Sequence, residues 1–103
     1  MDKIAGLKGI LELDPKNSFA RYGLAMELAG RGETAAAVCE FDTLLENDPG
    51  YTAGYFMAAQ TLANAGRTAE AIERLKAGID SAARSGNTHA LSEMQAMLDE
   101  LAS

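Results

Sequence analysis

A repeat of 34 residues constrains the fold of this chain more than any other feature. Identical residues recur at that displacement: Glu12, Asp14, Pro15, Ala25, Leu28, Ala29, Gly32, Thr34, Ala35 and Ala37 return as Glu46, Asp48, Pro49, Ala59, Leu62, Ala63, Gly66, Thr68, Ala69 and Ala71. Identity at a fixed spacing of this length is typical of repeat architectures, in which similar units stack side by side and share one core. The chain is therefore expected to be an array of two similar units with partial units at its ends.

Each unit is predicted to hold two helices, A and B, with a glycine between them and a proline after the second. Gly32 falls in the break, and Thr34 is predicted to cap helix B by offering its hydroxyl group to backbone N–H groups. The dipeptide Asp48-Pro49 ends helix B, because proline lacks the N–H that the helical ladder needs. The second unit repeats this pattern, with Thr68 as the predicted cap. The predicted helices cover about residues 3–14, 18–30, 34–47, 52–65, 68–83 and 88–101.

These helices are expected to form a single all-α domain. The opening helix aligns with the end of a unit, so it is a helix B without its helix A. The last helix carries apolar residues at helical spacing and is predicted to cover the exposed side of the final repeat. The predicted segments are 1–16, an N-terminal half-repeat; 17–50, repeat 1; 51–84, repeat 2; and 85–103, a C-terminal capping helix.

At these positions the sequence resembles the tetratricopeptide repeat (TPR) family. The matching residues are the small ones early in helix B, Ala37 and Ala71, the bulky ones after them, Phe41 and Leu75, and the closing prolines, Pro15 and Pro49. The resemblance covers residues 3–84 and implies a right-handed superhelix of antiparallel helix pairs, about six helices in all, whose A helices line a concave surface. In the first unit the sequence departs from the family pattern at two positions. Arg21 stands where the family has an aromatic residue, and Leu44 stands where it has a small one.

The resemblance also indicates where a partner would bind. The outward stripe of the two A helices is partly apolar, and it implies a concave groove for a peptide or helical segment of a partner protein. The candidate groove residues are Phe19, Tyr22, Met26, Phe56, Gln60 and Asn64. A second interpretation stays open, in which these side chains pack against the opening or last helix and belong to the core, because a short array must use its ends as lids.

One ligand mode of the family is disfavoured by the residue types in this stripe. Repeat domains that bind the carboxyl terminus of heat-shock chaperones use Lys and Asn there, because a carboxylate needs cationic and amide donors. The matching positions here are Tyr22, Met26, Phe56 and Gln60. A carboxylate clamp is therefore not expected.

Charge and cysteine content narrow the choice of partner and compartment. The formal net charge of −6 argues against nucleic acid and against an anionic membrane surface, since both are bound chiefly by Lys and Arg. A single cysteine, Cys39, allows no internal disulfide, so nothing requires an oxidising compartment. The opening segment lacks the uninterrupted apolar run of a signal peptide, and no run reaches the ~20 apolar residues of a membrane span. A cytoplasmic protein is expected.

The sequence predicts no enzyme, cofactor or metal site. A nucleophilic pair of Cys39 and His89 would need a third orienting group and an oxyanion site, which the spacing does not suggest. No cluster of Cys and His has zinc-ligand spacing, and the carboxylates lack the pattern of a calcium loop. Glycines such as Gly30 and Gly66 sit at predicted helix ends, not in a phosphate-binding loop.

Two alternative functions remain at the level of sequence. A structural or assembly role is possible if the edge left by the missing first helix A pairs with another copy as a homodimer. The discriminating feature is the opening half-repeat, where Ile4, Leu7, Ile10 and Leu11 are expected to be only partly covered. The same half-repeat also fits one domain of a larger scaffold or chaperone-like protein.

Overall fold

The structure is a computed structural model that describes residues 2–103, and all of its regular secondary structure there is helical. The six helices are α1 (Lys3–Leu13), α2 (Ser18–Gly30), α3 (Thr34–Asn47), α4 (Thr52–Asn64), α5 (Thr68–Ser85) and α6 (Thr88–Ala102). The predicted all-α repeat fold is confirmed. The stack measures 42 × 29 × 18 Å along its principal axes, which is an elongated slab.

The helices form two rows. Consecutive helices pack against one another, and in addition α2 contacts α4 and α4 contacts α6. We call α2, α4 and α6 the inner row and α1, α3 and α5 the outer row. The last helix, α6, contacts α5 and α4 in the way that α4 contacts α3 and α2. It therefore takes the place that the helix A of a further repeat would have.

The core lies between the rows and runs along the stack. Its largest fully buried side chains are Phe41, Leu44, Leu62, Leu75 and Met94. Short side chains allow helices to cross closely, and four alanines of the repeat are fully buried: Ala25, Ala37, Ala59 and Ala71.

The predicted caps of α3 and α5 are wrong. Thr34 and Thr68 are the first residues inside these helices, and the N-cap residues are Glu33 and Arg67, neither of which makes a side-chain capping bond. The glycine two residues before each threonine explains the shift. Because Gly32 has a left-handed φ of 77°, the chain turns there and its successor Glu33 already supplies the first helical carbonyl, at 2.9 Å from the Ala37 N–H.

Helices α2 and α6 have side-chain caps of the usual kind. The Asn17 side chain accepts a hydrogen bond from the Ala20 N–H at 2.9 Å, and Asn87 accepts one from the Ala90 N–H at 3.2 Å. The start of α6 on the inner row is thereby fixed by Asn87, directly after the left-handed Gly86 that ends α5.

The structure explains why Arg21 can replace an aromatic residue. In the second repeat the Tyr55 hydroxyl donates to the Pro49 carbonyl at 2.7 Å. In the first repeat Arg21 Nη2 donates to the equivalent Pro15 carbonyl at 2.8 Å, while its Nη1 contacts Glu40 Oε1 at 2.6 Å. Both side chains thus tie the turn before helix A to that helix.

Candidate functional site

The inner row leaves clefts between its helices. A cleft of 390 Å³ lies between α2 and α4, and one of 510 Å³ lies between α4 and α6. A third cleft, of 290 Å³, lies at the amino-terminal ends of α4 and α6 and reaches Tyr22 on α2. We call these three clefts together the inner groove. The tail of the chain does not fill it, because α6 lies beside α4 as one of its walls.

Five of the six predicted groove residues line these clefts. Phe56 lines both the cleft between α4 and α6 and the third cleft, at the amino-terminal ends of these helices. Gln60 and Asn64 line the clefts on both sides of α4. Met26 lines the cleft between α2 and α4, and Tyr22 lines the third cleft. The structure therefore brings these side chains to one surface.

Phe19 does not line the three clefts of the inner groove. The residue is 80% exposed and borders a neighbouring cleft between α1 and α2, which Tyr22 and Met26 also line. Within residues 2–103, α1 contacts only α2, so no inner helix lies beside the start of α2 on this side.

The stripe was interpreted either as a groove surface or as part of the core, and each interpretation describes some of its residues. Phe56 and Met26 are half-buried and pack against the core while lining the groove, whereas Gln60 and Asn64 are exposed. Tyr22 packs edge-on against Phe41, with ring centroids 6.3 Å apart, and against Tyr51 at 5.4 Å. Burial and, secondarily, the neighbouring Tyr51 raise the pKa of Tyr22 above its usual value, so this phenol stays neutral at physiological pH.

The wall of the groove that α6 supplies was not predicted from the sequence. Among its members are His89, Glu93, Ala96 and Glu100. Their spacing of four, three and four residues places them on one helix face, and this periodicity was the available signal. Helix α6 was expected to cover the last repeat, whereas it also flanks α4. Met57, which lines the groove on both sides of α4, was likewise not predicted.

The charge in the groove is negative. Glu93 and Glu100 are exposed, and no Lys or Arg of residues 2–103 lines the three clefts. His89 Nε2 lies 3.4 Å from Glu93 Oε1 and offsets its charge only when protonated. The arginines lie elsewhere, and each is 2.5–2.9 Å from a carboxylate: Arg21 with Glu40, Arg31 with Asp2, Arg67 with Glu70, Arg74 with Asp42 and Arg84 with Asp80.

Cys39 and His89 are not brought together. Cys39 is exposed on α3 and His89 lies on α6, and these two helices do not contact each other. Across residues 2–103 the structure holds no group of three His, Cys, Asp or Glu side chains arranged to bind a metal ion. In the same part of the chain, every helix is too short or too polar to span a membrane.

Fold and groove together define a helical repeat protein with an open inner surface. No protein-family model matches the chain. A TPR repeat-containing protein of Pseudomonas aeruginosa is 30% identical over 98 residues, which cover 95% of this chain and 93% of that protein. The chain belongs to the tetratricopeptide repeat family.

Solved structures show the same fold. A tetratricopeptide repeat domain protein from Salinibacter ruber, solved by solution NMR, is 32% identical with a TM-score of 0.78, and the match covers 85% of this chain and 89% of that one. PcrH, solved in complex with the chaperone-binding region of PopD, matches with a TM-score of 0.85 over 93% of this chain and 73% of its own. At 18% identity, this second likeness shows the fold alone.

Proposed function

We propose that this protein is an interaction module that holds a peptide or helical segment of a partner protein in the inner groove. The observation that carries the proposal is the position of Phe56, half-buried between two clefts, with the exposed amides of Gln60 and Asn64 one and two turns further along α4. Aromatic anchors beside hydrogen-bonding side chains are the usual composition of a peptide-binding surface. PcrH, a protein of the same fold, is found in complex with a segment of PopD, which supports the same use of the fold here.

The size of the groove favours modest affinity. A ligand that covered ~400 Å² of apolar surface would gain ~10 kcal/mol in gross hydrophobic free energy. Association costs of ~4–15 kcal/mol leave a dissociation constant no tighter than about micromolar. A tighter complex would need a second attachment point, such as a second copy of the module.

The proposal is tested by adding a bulky charge to the groove without disturbing the core. Gln60→Arg changes an exposed position on α4, and Ala77→Arg adds the same side chain at an exposed position on α5 in the outer row. Both variants should keep the helical circular dichroism spectrum and melting temperature of the parent. Only Gln60→Arg should lose partners captured from native lysate, as judged by mass spectrometry. Equal capture by Gln60→Arg and the parent would show that the groove is not the binding site.

Phe56→Glu is a stronger version of the same test. It places a carboxylate at the centre of the groove and should abolish capture. Because Phe56 also packs against the core, its thermal melting must be measured beside the binding assay. Loss of capture counts only if the variant is folded at the assay temperature.

A second candidate function is self-association through the amino-terminal edge. Three large apolar side chains of the described chain are exposed, and all lie on α1 or the start of α2: Ile10 (46%), Leu13 (91%) and Phe19 (80%). Leu44, the counterpart of Ile10 one repeat later, is only 1% exposed, because α3 has helices on both sides whereas α1 contacts α2 alone. A second copy would bury these side chains from both protomers.

Light scattering over a concentration series tests self-association. The parent should shift toward the mass of a dimer as concentration rises, and Leu13→Lys should remain monomeric. A parent that stays monomeric over the whole series contradicts this candidate.

The cytoplasmic location expected from the sequence remains a prediction, which cell fractionation tests.

A further inference from the structure

We infer that the segment bound by the inner groove is basic and amphipathic, with apolar side chains for the clefts and Lys or Arg residues for the α6 wall. This inference rests on the proposed function. It names the chemistry of the partner, which the apolar character of the groove alone does not determine.

The first argument is the distribution of charge around the clefts. Glu93 borders both clefts between α4 and α6, and Glu100 borders the larger one. No Lys or Arg of the described residues lines either cleft. A ligand carboxylate beside either glutamate would meet a like charge, whereas a ligand cation beside either one would find a partner.

The second argument is that the protein's own arginines are engaged elsewhere. Each of the five arginines already lies within 2.9 Å of a carboxylate, while among residues 2–103 Glu93 has only His89 within ion-pairing distance. The overall charge of −6 adds a long-range attraction for the same kind of ligand.

The third argument is spacing. Glu93 and Glu100 are seven residues apart on α6, which corresponds to about 10 Å along the helix. A helical ligand would present cations at that distance with basic residues seven apart. Phe56 borders both clefts from α4, so we place the apolar residues of the ligand toward α4 and its basic residues toward the two glutamates of α6.

Two designed peptides separate this chemistry from simple groove binding. Both are 18-residue amphipathic helices with the same Leu stripe, and the polar face carries Lys in one and Glu in the other. Binding is followed by fluorescence anisotropy of the labelled peptide at 150 mM salt. The Lys peptide should bind, and the Glu peptide should bind at least about tenfold more weakly, since like charges oppose it.

Charge-neutral variants then locate the interaction. Glu93→Gln with Glu100→Gln should weaken binding of the Lys peptide about 2- to 30-fold, the range for losing two exposed ion pairs. The matched control is Glu46→Gln with Glu73→Gln, which removes the same charge from exposed positions of α3 and α5 in the outer row. The control should change binding less than twofold, because only long-range attraction is reduced.

Each remaining outcome overturns a defined part of the proposal. If both peptides bind equally and Gln60→Arg abolishes the binding of both, the inner groove is the binding site but its preference for a basic ligand is wrong. If the Lys peptide binds but the inner and outer pairs of variants weaken it equally, the attraction is diffuse and the inference fails. If neither peptide binds at millimolar concentration, a basic amphipathic segment is not the partner. If the Lys peptide binds and Gln60→Arg has no effect, binding is outside the groove and the proposed function fails as well.

Discussion

The two repeats reach the same geometry with opposite distributions of side-chain size. In the first, Leu44 and Leu45 on α3 face a glycine on the next helix: a Cβ added at Gly54 would lie 3.0 Å from a Leu45 methyl carbon and 3.1 Å from a Leu44 methyl carbon. In the second, the small residue is on the outer helix: a Cβ added at Gly78 on α5 would lie 2.5 Å from the sulfur of Met94 on α6. At each contact a bulky side chain meets a glycine, which lies on the inner helix in one case and on the outer helix in the other.

The repeats also differ in how the turn before helix A is held. The second uses a neutral hydrogen bond from Tyr55, and the first uses a guanidinium that also reaches Glu40. What the repeats share is therefore the contact and its distance. The residue type can vary where a second change, here Glu40 or Gly54, compensates for it.

The largest effect should come from removing the large partner of the first pair. Leu44→Ala should lower the free energy of unfolding by about 2–5 kcal/mol, because Leu44 is 1% exposed and a cavity would remain beside Gly54. Urea unfolding followed by circular dichroism measures this. The double variant Leu44→Ala with Gly54→Ala should recover part of the loss, and a purely additive double variant would contradict the complementary-size explanation.

The next effect should come from enlarging the small partner of the second pair. Gly78→Ala should destabilise the protein by about 1–3 kcal/mol through overpacking, less the roughly 0.5–1 kcal/mol that alanine gains over glycine inside a helix. The added Cβ would also lie 2.6 Å from Tyr55 Cβ, an atom that cannot move away without shifting α4. Gly9→Ala is the control, since nothing lies within 4 Å of the added carbon, and it should stabilise the protein slightly. A Gly78→Ala variant as stable as Gly9→Ala would show that α4, α5 and α6 are not closely packed.

A smaller effect is expected at the first-repeat turn. Arg21→Ala should cost about 1–2 kcal/mol, because Arg21 and Glu40 are only partly exposed, at 16% and 25% of their side-chain surface, and two hydrogen-bond partners are lost. Arg21→Tyr should recover part of this loss by donating to the Pro15 carbonyl as Tyr55 does to Pro49. Thermal melting of the three proteins measures the difference. Equal melting temperatures for the Ala and Tyr variants would break the proposed equivalence of the two turns.

The smallest effect should be that of Tyr55→Phe. It removes the hydroxyl that donates to Pro49 and keeps the ring, so about 0.5–1.5 kcal/mol of stability should be lost. The Pro49 carbonyl still accepts from the Ser81 hydroxyl at 2.8 Å, which limits the cost. Urea unfolding at matched protein concentration resolves this change. A loss larger than that of Arg21→Ala would mean that the neutral bond holds its turn more strongly than the guanidinium does.

Local signals predicted most of the helices, and contacts between distant segments account for the rest. Helices α2 and α3 begin and end where the glycine and proline punctuation placed them. The caps at Thr34 and Thr68 were wrong by one residue, since a left-handed glycine, which the sequence alone does not assign, sets the start of the helix. The close approach at Gly78 depends on Tyr55 and Met94, which are distant in sequence, so no local sequence pattern predicts it.

In the candidate site too, some residues could be predicted from sequence patterns and others depend on contacts between distant segments. The stripe on α2 and α4 could be predicted because the repeat aligns the two A helices. The wall on α6 could not be found in that way, because α6 follows a longer helix, α5, and no longer keeps the 34-residue register. Phe19 was included because it shares the stripe with Tyr22, and in the structure it borders the neighbouring cleft between α1 and α2, which Tyr22 also lines.

Binding of a partner segment along α2, α4 and α6 can be mapped residue by residue by NMR. Amide chemical shifts of the labelled protein would be recorded as the Lys peptide is added. We expect the largest changes at Phe56, Gln60, Asn64 and Glu93, with little change on α3 and α5 beyond their contacts with α4 and α6. Changes concentrated on the outer row, or confined to α1 around Leu13, would contradict binding in the inner groove.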